Sequence, residues 1–285
     1  MVLKKISLAL CMVFFVAPCL FAEDTDVFNL GEIVVSGDEG VRISSTSQIS
    51  SYDIETKDAQ TVDEALDFVP GVRLTVGQKN EPYIMIRGFN QDDVLVLLDG
   101  IPISSPNYGY VDLNQVPVES IAKIKVIKGA VSPLYGANAI GGVVNIISKS
   151  PKEKPFLEVS NSFGENRTRY QVLNYGAKSD GVSLWLSGSR RVSDGFELSG
   201  DFKESRNEDG GLRDNSQYEE NALSLKLGLE KFDRHNPTVL FNYIDNEKGI
   251  PAHISSSRPR YWKFTEWKRW MVALADEVFA KLRDT

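Results

Sequence analysis

Residues 121–149 read IAKIKVIKGAVSPLYGANAIGGVVNIISK, and this stretch decides the fold of the chain. It opens with lysines that alternate with branched apolar residues, a pattern that predicts a short strand. A second apolar strand is predicted at residues 143–147. Between them, the run 136–142 contains three glycines, which predicts close backbone approach or positive φ. The order argues against a phosphate-binding loop, because such a loop follows a strand, ends in Gly-Lys-Ser/Thr and opens a helix.

The stretch resembles the end of the plug domain of TonB-dependent outer-membrane receptors. These families carry I-x-x-I-x-V-I-R-G-P-x-S-x-L-Y-G-x-x-A-I-G-G-V-[IV]-N-I, and the chain matches nearly every position between residues 121 and 146. It departs at Lys128, where the family usually has arginine, and at Ala130, where the family usually has proline. The order V-x-x-A-L-x-x-V-P-G-V at residues 62–72 is a second match, and it resembles the first helix and strand of the plug.

The resemblance implies an α+β plug domain, a small mixed sheet with short helices, at residues 41–150. Antiparallel transmembrane β-barrel strands are then expected at residues 151–285. Both prolines of the segment 151–155 fall at its ends, where the sequence pattern changes from the one domain to the other.

Local patterns predict the elements of the plug. Thr61 and Glu64 have the spacing of a capping box at the start of a helix. The apolar run VLVLL at residues 94–98 predicts a strand that is covered on both faces. A strand is also expected at residues 83–89, and a short helix near residues 117–121.

The N-terminus has the pattern of a signal peptide over residues 1–22, with a basic start, an apolar core and a small-residue cleavage site. Residues 23–40 are polar and acidic, apart from one short apolar island. Such an island is either a first edge strand or a peptide that adds to the sheet edge of a partner. Its position resembles the TonB box, the element that the energy-transducing TonB protein engages in the periplasm. The predicted box consists of Glu32, Ile33, Val34, Val35 and Ser36.

Two cations are candidates for a lock between plug and barrel. In the family, the arginine of an Arg-Gly pair and the arginine of the later I-R-G face barrel carboxylates. The resemblance therefore implies a plug–barrel lock at Arg87 and Lys128. Lysine keeps the charge but loses the bidentate geometry of arginine. The alternative is that Arg87 is a surface residue at the end of a strand.

Two polar loops, at residues 77–82 and 101–111, are candidates for ligand contact. In family plugs, the corresponding loops reach the extracellular side and touch the ligand, whereas the alternative is that both are ordinary connections. Tyrosines offer flat, partly polar surfaces that suit ligand contact. The predicted contact residues in and beside these loops are Gln78, Asn80, Tyr83, Ser104, Asn107, Tyr108 and Tyr110.

The C-terminal part predicts about six strands, the clearest at residues 217–230, where leucines alternate with polar or small residues. A soluble sandwich would alternate in the same way, so the resemblance carries the choice of a barrel. Family barrels have twenty-two strands, and about six cannot close around a plug. Because an open sheet edge in lipid is costly, we expect the sequence to be a fragment.

The net charge of −7 argues against a nucleic-acid partner. The sequence shows no nucleophile–base set, no metal-ligand spacing and no clustered catalytic carboxylates, so we predict no enzyme, no metal site and no cofactor. The resemblance implies an outer-membrane receptor that imports a scarce ligand through TonB and its inner-membrane complex. A ferric siderophore is expected first and cobalamin second. A plug-like binding module that does not transport is the remaining alternative.

Overall fold

The computed structural model describes residues 45–77, 79–104, 110–131, 135–136, 138–230 and 235–278. The predicted signal peptide and the predicted TonB box lie outside these residues. Within them, no helix is long and apolar enough to cross a membrane.

The N-terminal part, here called the plug, is built on a mixed sheet. In chain order its elements are β1 (Ser45–Ser50), α1 (Ser51–Thr56), α2 (Val62–Leu66), β2 (Val72–Val76), β3 (Pro82–Ile86), β4 (Val94–Leu98), β5 (Ile101–Pro102), β6 (Ile121–Lys128) and β7 (Gly142–Ser148). Five of these strands form one sheet in the order β1-β6-β7-β4-β5. β4 and β7 run parallel, whereas the other neighbours in that sheet run antiparallel. β2 and β3 form a separate hairpin.

Apolar side chains cover the inner strand β4 on both faces, as its sequence predicts. Val94, Val96 and Leu98 belong to the main core, which also contains the buried residues of α1 and α2. Leu95 and Leu97 belong to a smaller cluster on the opposite face. Burial of one such side chain contributes about 1.5–3 kcal/mol, so this strand anchors the plug.

The capping box predicted at Thr61 and Glu64 does not form. The Thr61 hydroxyl makes no cap hydrogen bond, and the Glu64 carboxylate accepts from the backbone of Gln60 at 2.6 Å instead. A complete capping box lies at the start of α1, where Ser50 and Asp53 satisfy each other's backbone N–H groups. The motif therefore exists in the plug, but one helix earlier than predicted.

The prediction of a short helix near residues 117–121 is wrong. The helical turn is a 3-10 turn at Leu113–Gln115, and β6 already begins at Ile121. The backbone of Val62 donates to the carbonyl of Val116 at 3.1 Å, and Pro117 forms a bridge with Thr61. This pairing with the start of α2 holds Val116 and Pro117 extended, so only a single turn follows, in which the backbone of Ile121 donates to the carbonyl of Val118 at 2.9 Å.

The strand expected at residues 83–89 ends earlier, at Ile86. Arg87 and Gly88 form a tight turn with φ of 52° and 90°. The backbones of Ile86 and Phe89 hydrogen-bond each other across it at 3.0 Å. Arg87 is therefore an exposed turn residue just after β3 and is not part of the predicted strand.

The C-terminal part is an antiparallel sheet, here called the second sheet, whose strands pair in chain order and confirm the six predicted strands. They are β8 (Phe156–Phe163), β9 (Arg169–Ser179), β10 (Val182–Ser193), β11 (Tyr218–Leu229), β12 (His235–Ile250) and β13 (Trp262–Val278). The pairing of β12 with β13 continues to Ile250, past a bulge between Asn246 and Lys248.

The second sheet turns a mixed, largely polar face inward and an apolar face outward. On β11, Leu223 and Leu227 are 41% and 37% exposed, whereas Glu220 and Lys226 are 2% and 6% exposed. The inward polar face covers the plug, as the hydrogen bond from Lys226 to Ser148 shows. A soluble sandwich buries its apolar face, so this arrangement excludes the sandwich and agrees with strands that face lipid.

Candidate functional site

Two plug segments meet through their tyrosines, and together they form what we call the plug apex, residues 79–83 and 110–112. The rings of Tyr83 and Tyr110 lie 5.0 Å apart between centroids, tilted by 38°. Asn80 takes a left-handed backbone conformation with φ of 55°, which turns the chain back into β3. The structure thus brings together three of the predicted ligand-contact residues.

The structure describes only one of the remaining predicted contact residues. Ser104 is partly buried beyond the short strand β5. Gln78, Asn107 and Tyr108 lie outside the described residues. Asn80, Tyr83 and Tyr110 therefore lie close together, and their contact with a ligand stays a prediction.

Tyr83 presents a neutral phenol at the apex. Its hydroxyl donates to the Glu81 carboxylate at 2.8 Å. Burial, with help from this hydrogen bond, raises the pKa of Tyr83 to about 12. Since the phenol stays protonated, the paired rings offer an uncharged aromatic surface with a polar rim. Such a surface suits a large, flat or partly apolar ligand.

A lysine of the second sheet binds both segments of the apex. The Lys248 ammonium donates to the backbone carbonyl of Asn80 at 3.0 Å and to the Asp112 carboxylate at 2.5 Å. The side chains of Lys248 and Asp112 are 6% and 7% exposed, so the ion pair is buried. The contact has no local pattern in the sequence, because the partners are 168 and 136 residues apart along the chain. The only local signal is a lysine on the inward-facing register of β12.

The two cations of the predicted plug–barrel lock lie side by side in the plug. Arg87 donates to the carbonyl of Lys128 at 3.3 Å and to the Ser45 hydroxyl at 2.6 Å. Lys128 donates to the Ser47 hydroxyl at 2.7 Å and to the carbonyl of Pro70 at 2.8 Å. Burial and the charge of Arg87 lower the pKa of Lys128. These hydrogen bonds all end on plug groups, and a lock with barrel carboxylates stays a prediction.

Other residues connect plug and second sheet. Arg191 on β10 donates to the carbonyl of Asn114 at 3.2 Å. Asn174 on β9 donates to the carbonyl of Glu119 at 3.5 Å. Together with Lys226 and Lys248, they make the contact between the two parts largely polar. Their signal in the sequence is weak, because inward positions of a strand are polar whether or not they touch a plug.

Glu119 lies at this polar contact, beside a cavity of about 30 Å³ that is also lined by Ser189, Asn242 and Arg269. That volume suits a single water molecule. One carboxyl oxygen of Glu119 is buried without a hydrogen-bond partner among the described residues. Burial raises the pKa of Glu119 to about 7.

Three carboxylates come close together in the loop between β10 and β11. The carboxylate oxygens of Glu208, Asp209 and Asp214 lie within 4.8 Å of one another. Arg213 donates to the Glu208 carboxylate and already supplies a cation there. The cluster on its own therefore does not identify a metal site.

Comparisons with known proteins agree with this architecture. The model of the TonB-dependent receptor plug domain matches residues 42–143. The vitamin B12 transporter BtuB of Vibrio vulnificus (strain CMCP6) is 31% identical over 206 residues, which cover 69% of this chain and 34% of the transporter. The chain therefore spans about a third of the length of the curated relatives it matches.

Solved receptors share the fold. The ferric yersiniabactin uptake receptor FyuA from Yersinia pestis aligns with a TM-score of 0.66 at 17% identity, over 84% of this chain and 39% of the receptor. The ferripyoverdine receptor of the outer membrane of Pseudomonas aeruginosa aligns with a TM-score of 0.67 at 16% identity, over 88% of this chain and 33% of the receptor. These matched proteins are receptors and transporters. The chain has a plug that matches this family's model, and its following strands align with these receptors. It therefore belongs to the TonB-dependent receptors of the outer membrane.

Proposed function

We propose that the protein acts as an energised receptor, which binds a scarce ligand outside the cell and imports it across the outer membrane. TonB would supply the energy by pairing with the predicted box around Val34. The plug apex would face outward and make the first contact with the ligand. No covalent chemistry is required of any residue.

The polar contact between plug and second sheet supports this proposal. The main apolar core lies almost entirely within the plug, with Met271 of β13 packed against it. Contacts across to the second sheet run through Arg191, Asn174, Lys226 and Lys248. An ordinary hydrogen bond contributes a net of about 1 kcal/mol, and water can replace it. A pull on the plug can therefore rearrange the plug relative to the second sheet without exposing most of the plug's apolar core, as import requires.

Two ligand classes follow from the relatives. The vitamin B12 transporters among them are 31% identical, so a corrinoid is one candidate. Siderophore receptors share the fold, and a ferric siderophore is the other candidate. The tyrosine pair Tyr83 and Tyr110 suits either ligand. The outward apolar face of the second sheet argues against a soluble binding module.

Uptake by cells that carry or lack the gene tests the proposal. We expect the deletion to abolish accumulation of either radiolabelled cyanocobalamin or iron from ferric ferrichrome. Val34→Pro should abolish uptake but leave binding to intact cells unchanged, because proline removes a backbone donor that strand pairing needs. Val34→Ile keeps that donor and serves as the matched control. Normal uptake by the proline variant would contradict the TonB box, and normal uptake by the deletion strain would contradict the function.

A further inference from the structure

Lys248 reaches across from the second sheet to two separate parts of the plug. It lies near the end of β12, directly after the bulge that follows Asn246. Its ammonium binds the carbonyl of Asn80 in one apex segment and the carboxylate of Asp112 in the other. By comparison, the plug contact of Arg191 ends on a single carbonyl, that of Asn114. A loss of Lys248 would therefore release two segments together.

The charge of Lys248 balances carboxylates that would otherwise repel one another. Burial raises the pKa of Asp112, the charges of Glu81 and Asp63 act in the same direction, and Lys248 opposes them. Without the lysine, the buried Asp112 carboxylate would be left beside Glu81, whose own carboxylate holds the Tyr83 hydroxyl. Glu81 thus interacts both with the ion pair, through Asp112, and with the aromatic pair, through Tyr83.

The two tyrosines follow the lysine's contacts closely along the chain. Tyr83 lies three residues after Asn80, and Tyr110 lies two residues before Asp112. Their rings contact each other at 5.0 Å between centroids. Fixing Asn80 and Asp112 to one ammonium therefore fixes the spacing of the ring pair.

We propose that Lys248 is a positioning residue, which holds the two apex segments in register with each other and with β12, so that the aromatic pair is preorganised for ligand. This inference rests on the proposed function, because it takes the apex as the ligand-binding surface. Lys248 is buried beneath that surface and acts through Asn80 and Asp112. The expected result of its loss is weaker binding through a less ordered apex.

Hydrogen exchange of the purified, ligand-free protein tests the positioning role directly. In Lys248→Met, amides of the peptides that contain Asn80 and Asp112 should exchange faster together, by about tenfold or more. Lys248→Arg keeps a cation and should restore part of the protection. Lys178→Met is the matched control, since Lys178 is also an ion-paired lysine of the second sheet, with partners Glu153 and Glu230 away from the apex. It should leave both peptides unchanged.

Equilibrium binding of cyanocobalamin and of ferric ferrichrome provides the second readout. For the probe that the wild type binds, Lys248→Met should lower the affinity by about tenfold, because the apex must then be ordered on binding. Asp112→Asn breaks the same pair from the plug side. It should give a similar loss, and the double variant should be no worse than either single variant.

The outcomes separate this inference from the proposed function. Binding of neither probe by the wild type would count against the function, whereas the exchange pattern would still decide whether Lys248 holds both segments. Faster exchange in one segment alone, or throughout the plug, would overturn the inference. So would faster exchange in both segments with unchanged affinity for a probe that the wild type binds.

Discussion

Glu119 shows at the scale of one residue what a polar contact costs when it is buried. Its side chain is enclosed between plug and second sheet, and one carboxyl oxygen lacks a partner among the described residues. Burial raises its pKa from the ordinary 4.5 to about 7. Between these two pH values the folded protein binds a proton that the unfolded chain has released. The stability contributed at this site therefore falls as the pH rises from about 4.5 to about 7.

Glu119→Gln should consequently stabilise the protein at pH 8 and have little effect at pH 4. The gap between a pKa of about 7 and one of 4.5 corresponds to roughly 3 kcal/mol, which sets the upper limit of the gain. Thermal unfolding of the purified protein at the two pH values measures it. Glu165→Gln, in the exposed turn after β8, is the control and should give no difference between them. A gain for Glu119→Gln that is equal at both pH values would contradict a titrating carboxyl.

At the scale of one element, β11 carries the strongest argument for lipid on the outside. Its outward residue Leu227 pairs with Leu184 on β10 and with Val239 on β12. Val239 in turn pairs with Leu274 on β13, which is 77% exposed. An apolar row thus crosses four strands with no protein cover within the described residues.

Leu227→Arg should sharply reduce the amount of folded protein in the outer-membrane fraction. Arginine on the lipid face of a barrel costs about 2–4 kcal/mol near the middle of the bilayer. Glu204→Arg adds the same side chain to the exposed loop between β10 and β11, and it should have no effect. Immunoblots of the membrane fractions measure both variants. Equal amounts of the two would contradict the assignment of the row to lipid.

The elements that sequence could predict are those whose pattern repeats locally. β4 and the strands of the second sheet follow from runs and alternation of apolar residues, and the structure confirms them. The turn at Arg87 could not be predicted in the same way, because the pattern before it continues as a strand would. The failed cap at Thr61 has a different cause, since its backbone pairs with Pro117, more than fifty residues away in the sequence.

For the candidate site, the sequence predicts three residues that the structure brings together, but it does not predict the contacts among them, and ligand binding there stays a prediction. Asn80, Tyr83 and Tyr110 were expected from the two loops, and the structure places them together. Lys248 was not expected, because a pairing between parts of the chain so far apart depends on how the second sheet wraps the plug. The cations Arg87 and Lys128 were singled out by resemblance alone, and their role as a lock is still a prediction.

At the scale of the whole molecule, buried charges help to hold the plug against the second sheet. Arg190 and Arg191 are neighbours on β10 but point to opposite faces. Arg190 pairs with Glu219 at 3.0 Å, and both side chains are nearly half exposed. Arg191 pairs with Glu220 at 3.7 Å, and both are buried where they face the plug.

Removing Arg191 should weaken the contact between plug and second sheet, and removing Arg190 should not. Arg191→Met leaves the Glu220 carboxylate buried without its cation, at a cost of about 3–5 kcal/mol, and also releases the carbonyl of Asn114. Arg190→Met loses an exposed pair worth about 0–1 kcal/mol. Cells that carry Arg191→Met should become several-fold more sensitive to vancomycin, which an intact outer membrane excludes. The two variants differ by one position on the same strand. Equal sensitivity would therefore show that contacts other than this buried pair hold the plug against the second sheet.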